Sequence, residues 1–189
     1  METLQNVEFK IRTIEDAPEA SKSILTAAKS AYGFDANLLG LMANHPALLY
    51  AYWEGDKFLT KNSVLTAKER QIAFLASSYE NNCQYCMAAH SSIAQMHRVS
   101  QENIDALREG RELPDKKLNA LSEYVKATTT KRGQVSNEDI NKFLNAGYPK
   151  EAILEVITIV GFKVMTNYMD HLAQTPVDVP FQANLWEAK

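Results

Sequence analysis

Cysteine is nearly absent from this chain. Its 189 residues hold two, Cys83 and Cys86, so no disulfide framework can staple the fold, and any bridge would be local and reactive rather than structural. That favours a reducing compartment, with cytoplasm as the simplest expectation. A basic surplus is also lacking: the net charge is −3 at pH 7, which gives no electrostatic reason to expect nucleic acid as a partner. The greasiest stretch, AILEVITIVGF from Ala152 to Phe162, is interrupted by Glu155 and falls short of the ~20 residues that a bilayer span needs. It predicts a buried core helix and no membrane association. The opening residues METLQNVEFKIRTIED scatter charges where a secretory signal would carry its apolar centre, so export is not expected. No linker, low-complexity tract or internal repeat divides the chain.

What is present reads as one soluble, all-helical domain over residues 1–189. The hydrophobic fraction is 46% and the charged fraction 23%, and a domain of this length buries about two-thirds or more of its unfolded surface. Residues 7–12, VEFKIR, alternate apolar and polar like a strand but have no partner run, which predicts a short extended N-terminal arm within residues 1–16. Helices are expected from Ala17 to Ala31 with Gly33 as the stop, from Pro46, and after Thr66, where Ile72, Leu75, Ala76 and Tyr79 share a face. Further helices are expected from Ser100 to Gly110, from Pro114, from Ser136, and from Lys150 to about Leu172. The last is apolar on most sides, which predicts a central position.

The stretch ENNCQYCMAAHSS, residues 80–92, carries the chemistry. With Asn81 or Asn82 as N-cap, Cys83 falls in the first turn of a helix, and Cys86 and His90 lie within about 60° of it on the same face. The positive end of the helix favours thiolate over thiol, and C-x-x-C thiols ionise below the usual ~8.5. An imidazole at i+4 from Cys86 can take its proton directly or through a water. Two such sulfurs also support a two-electron cycle in which one attacks and the other resolves. An inert buried pair and a zinc site are the competing readings. Zinc needs four ligands, and His97 lies about 10 Å further along the helix than His90, too far for one ion to bind both. His45 reads as a loop residue, His171 as a helix end, and His97 as a surface or packing residue. Glu80 is open between two readings, a solvated helix-end carboxylate and a group that orients His90 and accepts a proton.

This stretch, preceded by LTAKERQIAFLASSY, resembles the core of the AhpD-like alkylhydroperoxidase branch of the carboxymuconolactone decarboxylase family. The later segment NEDINKFLNAGYPKEAILEVITIVGFKVMTNYMDHLAQTPVD resembles the part of that family in which a helix, a glycine turn and a long helix complete the domain. The resemblance spans residues 65–179. It implies an AhpD-like helical bundle, a homo-oligomer (trimer or hexamer), and reduction of a small hydroperoxide by the cysteine pair. Electrons would return from a dithiol, lipoyl or thioredoxin-like reductant. The family's decarboxylase members lack the cysteine pair, so its presence argues against that branch. Carried across, the resemblance makes Cys86 the attacking sulfur, Cys83 the resolving one and His90 the proton relay, whereas the helix field alone would make Cys83 the more acidic thiol. Many AhpD-like members carry a relay glutamate where this chain has Gln71; Glu80 or Glu69 is the expected replacement. No metal or cofactor is required, since sulfur carries both electrons. Two alternatives stay open: a disulfide reductase, and a redox-sensing helical oligomer without significant peroxidase turnover.

Overall fold

The computed structural model describes residues 8–187, and among them nine α-helices and one 3-10 helix form a single helical domain without a strand. The order is α1 Glu19–Tyr32, α2 Asn37–Met42, α3 Pro46–Asn62, α4 Ala67–Glu80, α5 Gln84–Met96, α6 Gln101–Glu109, α7 Lys116–Thr130, α8 Asn137–Asn145 and α9 Glu151–Ala173, followed by the 3-10 helix Val179–Asn184. Local chemistry sets most boundaries. Gly33 and Gly110 close α1 and α6 in the left-handed conformation, which glycine adopts without a Cβ penalty. Thr66 and Glu69 form a reciprocal capping box at the start of α4, as Ser136 and Asp139 do at α8, each cap worth about 1 kcal/mol. Helix α7 begins two residues after Pro114, because the Asp115 carboxylate accepts the Lys117 and Leu118 amides and so acts as the cap.

Helix α4 is the hub, packing against α5, α6, α7 and α9. Its Ile72, Ala73, Leu75 and Ala76 meet Met87, Ile104, Leu107, Leu121, Val125, Val156 and Ile159 in the main core. A second core joins α1 to α3 through Ile24, Leu25, Leu39, Leu49 and Trp53. Where α3 crosses α9, Gly55 is required by closeness: a Cβ there would lie 2.7 Å from the tip of the Phe162 ring.

The structure adds to the sequence reading at three points. The helix α2 is unforeseen from NLLGLM, six residues too short to display a period. Part of the N-terminal arm, residues 1–7, lies outside the described residues. The remainder lies outside any helix, as expected of an arm, and is pinned by the Arg12 amide on the Gly40 carbonyl at 3.0 Å and by Asn44, which donates to the Lys10 carbonyl at 2.7 Å. Helix α9 takes the central position expected, and carries a buried polar stripe that the sequence reading did not single out. By length and composition it is able to cross a bilayer, and it packs on α3, α4 and α7 through Ala152, Val156 and Ile159 in its first half and through polar side chains in its second. Lys163, Thr166, Asn167 and Asp170 are buried, while Leu154, Ile157, Tyr168 and Leu172 are more than half exposed.

Candidate active site

The joint between α4 and α5 decides where the two sulfurs sit. Helix α4 ends in a double reversal: the Cys83 amide bonds back to the Ser78 carbonyl at 3.1 Å and the Asn82 amide to that of Tyr79 at 2.9 Å, with Asn82 at φ +56°. This is the Schellman pattern, with asparagine in the left-handed position that is usually glycine. Asn81 and Asn82 are thus both consumed in closing α4, and the N-cap of α5 falls to Cys83 itself rather than to either asparagine. Its Sγ accepts the Cys86 amide at 3.4 Å. Cap and third helical residue are neighbours in space, so the C-x-x-C spacing brings the sulfurs together at the positive end of α5.

The buried polar stripe of α9 meets this pair. Cys86 Sγ lies 3.8 Å from Thr166 Oγ1, and Cys83 Sγ lies 3.2 Å from Asp170 Oδ2. His90, one turn beyond Cys86, is stacked on Phe74 with ring centroids 4.7 Å apart. Its Nδ1 is 2.9 Å from Gln71 Oε1 and its Nε2 is 2.7 Å from Lys163 Nζ. An ammonium can only donate, so Nε2 accepts from Lys163, and Nδ1 carries the hydrogen donated to Gln71. Lys163 is almost completely buried, with Nζ also 5.4 Å from the centre of the Phe74 ring, in cation–π range.

These contacts drive the two thiols apart in acidity. Burial opposes the Cys86 thiolate, but the hydrogen bond from Cys83, the Lys163 ammonium and the Thr166 hydroxyl outweigh it, and the thiol is lowered to about 6. Burial, the neighbouring Cys86 and the Asp170 carboxylate all push the Cys83 thiol well above the ordinary range. The helix field, which taken alone favours Cys83, is overridden by what α9 places beside each sulfur. Burial and the adjacent Lys163 hold the His90 imidazole well below its ordinary value, so the ring is neutral at pH 7.

Cys86, His90 and Lys163 border a cavity of about 410 Å³ whose other walls include Phe34, Leu38, Tyr52, Tyr85, Ile93 and Phe181. Phe181 comes from the 3-10 helix, which is fastened by Asp178: its carboxylate accepts the Tyr85 hydroxyl at 2.6 Å and the Asn37 amide at 3.1 Å. The predicted residues are therefore brought together only in part. Cys83, Cys86 and His90 share the site, but the hydrogen bonds of His90 go to Gln71 and Lys163, not to sulfur. Glu80 does not reach them. It lines a separate cleft with Glu123 and Lys126 of α7, where burial raises its carboxyl pKa. The reversal at Asn82 puts a residue three positions before Cys83 on the other side of the joint. Glu69 is spent in its capping box and on Lys117 at 3.2 Å. Lys163, Thr166 and Asp170 went unread in the sequence, although their spacing at i, i+3 and i+7 in an otherwise apolar helix was a visible signal. Among the described residues, no group of three or more His, Cys, Asp or Glu side chains is arranged to hold a metal ion.

Comparison with known proteins agrees with this architecture. Residues 45–127 match the model of the Carboxymuconolactone decarboxylase family. No curated protein matches. Among solved structures, an uncharacterised peroxidase-related protein from Ralstonia eutropha JMP134, described as an alkylhydroperoxidase AhpD core, superposes with a TM-score of 0.80 at 18% identity, covering 95% of this chain and 96% of its own. An uncharacterised peroxidase-related protein from Silicibacter sp. TM1040 gives 0.79 at 16%, covering 97% and 98%. A variant of the debrominase Bmp8 in complex with 2,3,4-tribromopyrrole gives 0.75 at 17%, covering 97% and 96%. At these identities the likeness is one of fold. Residues 45–127 are thus similar to the Carboxymuconolactone decarboxylase family, and the chain shares the fold of these peroxidase-related proteins along nearly its whole length.

Proposed function

We propose that the chain is a thiol-dependent hydroperoxide reductase in which Cys86 attacks and Cys83 resolves. The observation that carries this reading is that Cys86, with its thiol lowered to about 6, borders an apolar cavity while Cys83 stays a thiol against it. The Cys86 thiolate attacks the distal oxygen of the hydroperoxide, the O–O bond breaks, and sulfur keeps the hydroxyl as a sulfenic acid. The departing alkoxide takes a proton, for which the Lys163 ammonium is the cavity's donor. Cys83 then displaces the hydroxyl as water and closes the disulfide, and an external dithiol returns two electrons and two protons. His90 and Gln71 position Lys163, a role different from the direct His90 relay expected from spacing. In this reading no bound metal or organic cofactor takes part. The test is consumption of an alkyl hydroperoxide with a dithiol donor, and no consumption above the buffer rate would sink the proposal.

A second reading has one observation in its favour. The cavity walls are rich in aromatic rings, and a protein of the same fold is a debrominase crystallised with a bromopyrrole. In that chemistry the thiolate would take the halogen from a halogenated aromatic ring, the ring carbon would gain a proton, and Cys83 would displace halide as the disulfide forms. Halide release from a brominated pyrrole, set against hydroperoxide consumption at equal concentration, separates the two. A folded protein disulfide is a poorer fit as oxidant, because both sulfurs are buried. Comparing its rate with that of a hydroperoxide tests the disulfide-reductase alternative.

The homo-oligomer implied by the family resemblance has a candidate surface in Phe58, Val64 and Leu154, exposed apolar residues that line one groove between α3 and α9, with exposed Ile157 one turn beyond Leu154. Isolated exposed apolar residues are ordinary, but contiguous ones mark association sites. Leu154→Glu combined with Ile157→Glu is expected to lower the mass seen by sedimentation equilibrium; an unchanged mass places the contact elsewhere.

A further inference from the structure

One proton of the cycle above has to leave a buried sulfur. As Cys83 attacks the Cys86 sulfenic acid its S–H must ionise, yet Cys83 is fully enclosed, so water does not reach it. Asp170 is the one carboxylate in contact with that sulfur among the described residues, Oδ2 to Sγ 3.2 Å. Its second oxygen, Oδ1, accepts the Thr175 backbone amide at 3.2 Å, which fixes the orientation of the carboxylate. Asp170 also lines a cleft of about 330 Å³ with Asn82, Gln84, His171, Gln174 and Thr175. It shares only Tyr85 with the walls of the Cys86 cavity. One oxygen therefore faces the resolving sulfur while the side chain borders a second opening.

We infer that Asp170 is the base of the resolving step, taking the Cys83 proton as the disulfide closes and returning it when the pair is reduced. In closure, the Cys83–Cys86 bond forms, the S–O bond of the sulfenic acid breaks, and hydroxide leaves and becomes water with a proton from solvent. The Cys83 proton passes to Asp170 and out through the cleft. In reduction, a dithiol supplies both electrons, Cys83 leaves as the first product sulfur, and Asp170 protonates it. The carboxylate acts in concert with the change at sulfur, so no free buried thiolate accumulates at Cys83. Oxidant and proton thus use different openings, the apolar cavity at Cys86 and the polar cleft at Asp170. The inference rests on the peroxidase reading for the identity of the oxidant, but not for the sulfur chemistry.

Asp170→Asn keeps an acceptor for the Thr175 amide and removes the base, so it isolates the proton from the scaffold. After one equivalent of hydroperoxide, disulfide closure in D170N is expected to be roughly a hundredfold slower than in wild type. Sulfenic acid trappable by dimedone should accumulate, while alkylation of reduced Cys86 by iodoacetamide does not slow and its pH midpoint moves down, because the Asp170 charge that opposes the Cys86 thiolate is gone. Asp170→Glu, which retains a carboxylate, is expected to close faster than D170N. Wild-type closure in D170N overturns the assignment, and so does closure in D170E as slow as in D170N. A parallel arm uses glutathione disulfide in place of hydroperoxide: Cys86 forms the mixed disulfide and Cys83 displaces glutathione, so the same proton must move. Slow closure of D170N in that arm, with no hydroperoxide consumed by wild type, keeps Asp170 as the base and removes the peroxidase reading. Wild-type closure of D170N there, with hydroperoxide turnover intact in wild type, does the reverse.

Discussion

Cys86→Ser is expected to reduce hydroperoxide consumption to the background rate, whereas Cys83→Ser should react once per chain and stop as a sulfenic acid. The asymmetry follows from what stands beside each sulfur rather than from position on the helix. Cys86 faces the cavity and has Lys163 and Thr166 to hold its negative charge; Cys83 faces Asp170, whose charge opposes ionisation of the thiol. A serine hydroxyl at position 86 cannot substitute, because it remains protonated at neutral pH and is far less nucleophilic than a thiolate. The checks are a single-turnover assay of hydroperoxide loss and dimedone trapping followed by mass spectrometry. Equal first-turnover rates in the two variants would defeat the assigned order, and a first reaction confined to Cys83→Ser establishes it.

Lys163→Met is expected to raise the midpoint of Cys86 alkylation by about one to three pH units, the range by which one nearby opposite charge stabilises an ionised group. The direction is fixed by charge: Lys163 lowers the Cys86 thiol, so its removal moves the midpoint up from about 6. At pH 7 the ionised fraction would fall from about nine-tenths to between roughly one half and one hundredth, and the reaction with hydroperoxide would fall with it. Above the new midpoint the alkylation rates of variant and wild type should converge. Any deficit that persists there with hydroperoxide measures the proton that Lys163 gives the alkoxide. Methionine preserves length and apolar contact, and the Cys86 sulfur left without its cation can take up a proton, so no uncompensated charge has to stay buried there. A general loss of structure is therefore not the expected route. The same change also releases His90 Nε2, and because Lys163 contributes to the depression of the imidazole, its titration should move upward while burial continues to hold it low. An unchanged alkylation midpoint would show that the cation does not act on Cys86.

Helix ends were legible in the sequence because their causes are local. Thr66, Ser100, Ser136, Gly33 and Gly110 act over one turn of chain, and the apolar period between them needs no partner to be read. The C-x-x-C-x-x-x-H spacing was legible for the same reason, since 3.6 residues per turn already put Cys86 and His90 on one stripe. The joint at Asn81 and Asn82 was misread as a cap because asparagine serves both ends of helices. Only the pairing of the Cys83 amide with Ser78, five residues back, reveals that both asparagines close α4. Glu80 failed as a relay for the same reason, since its direction depends on the handedness of that reversal.

The sequence by itself determined that this chain is helical, where most of its helices start and stop, and that two cysteines and a histidine share one face. Those properties depend on backbone sterics, caps and periodicity, which act within a few residues. Only the tertiary structure decided which sulfur ionises. The cation, hydroxyl and carboxylate that set the two thiols apart lie on α9, some 80 residues further along the chain, and their field reaches the sulfurs only where packing has buried them together and excluded the water that would otherwise screen it.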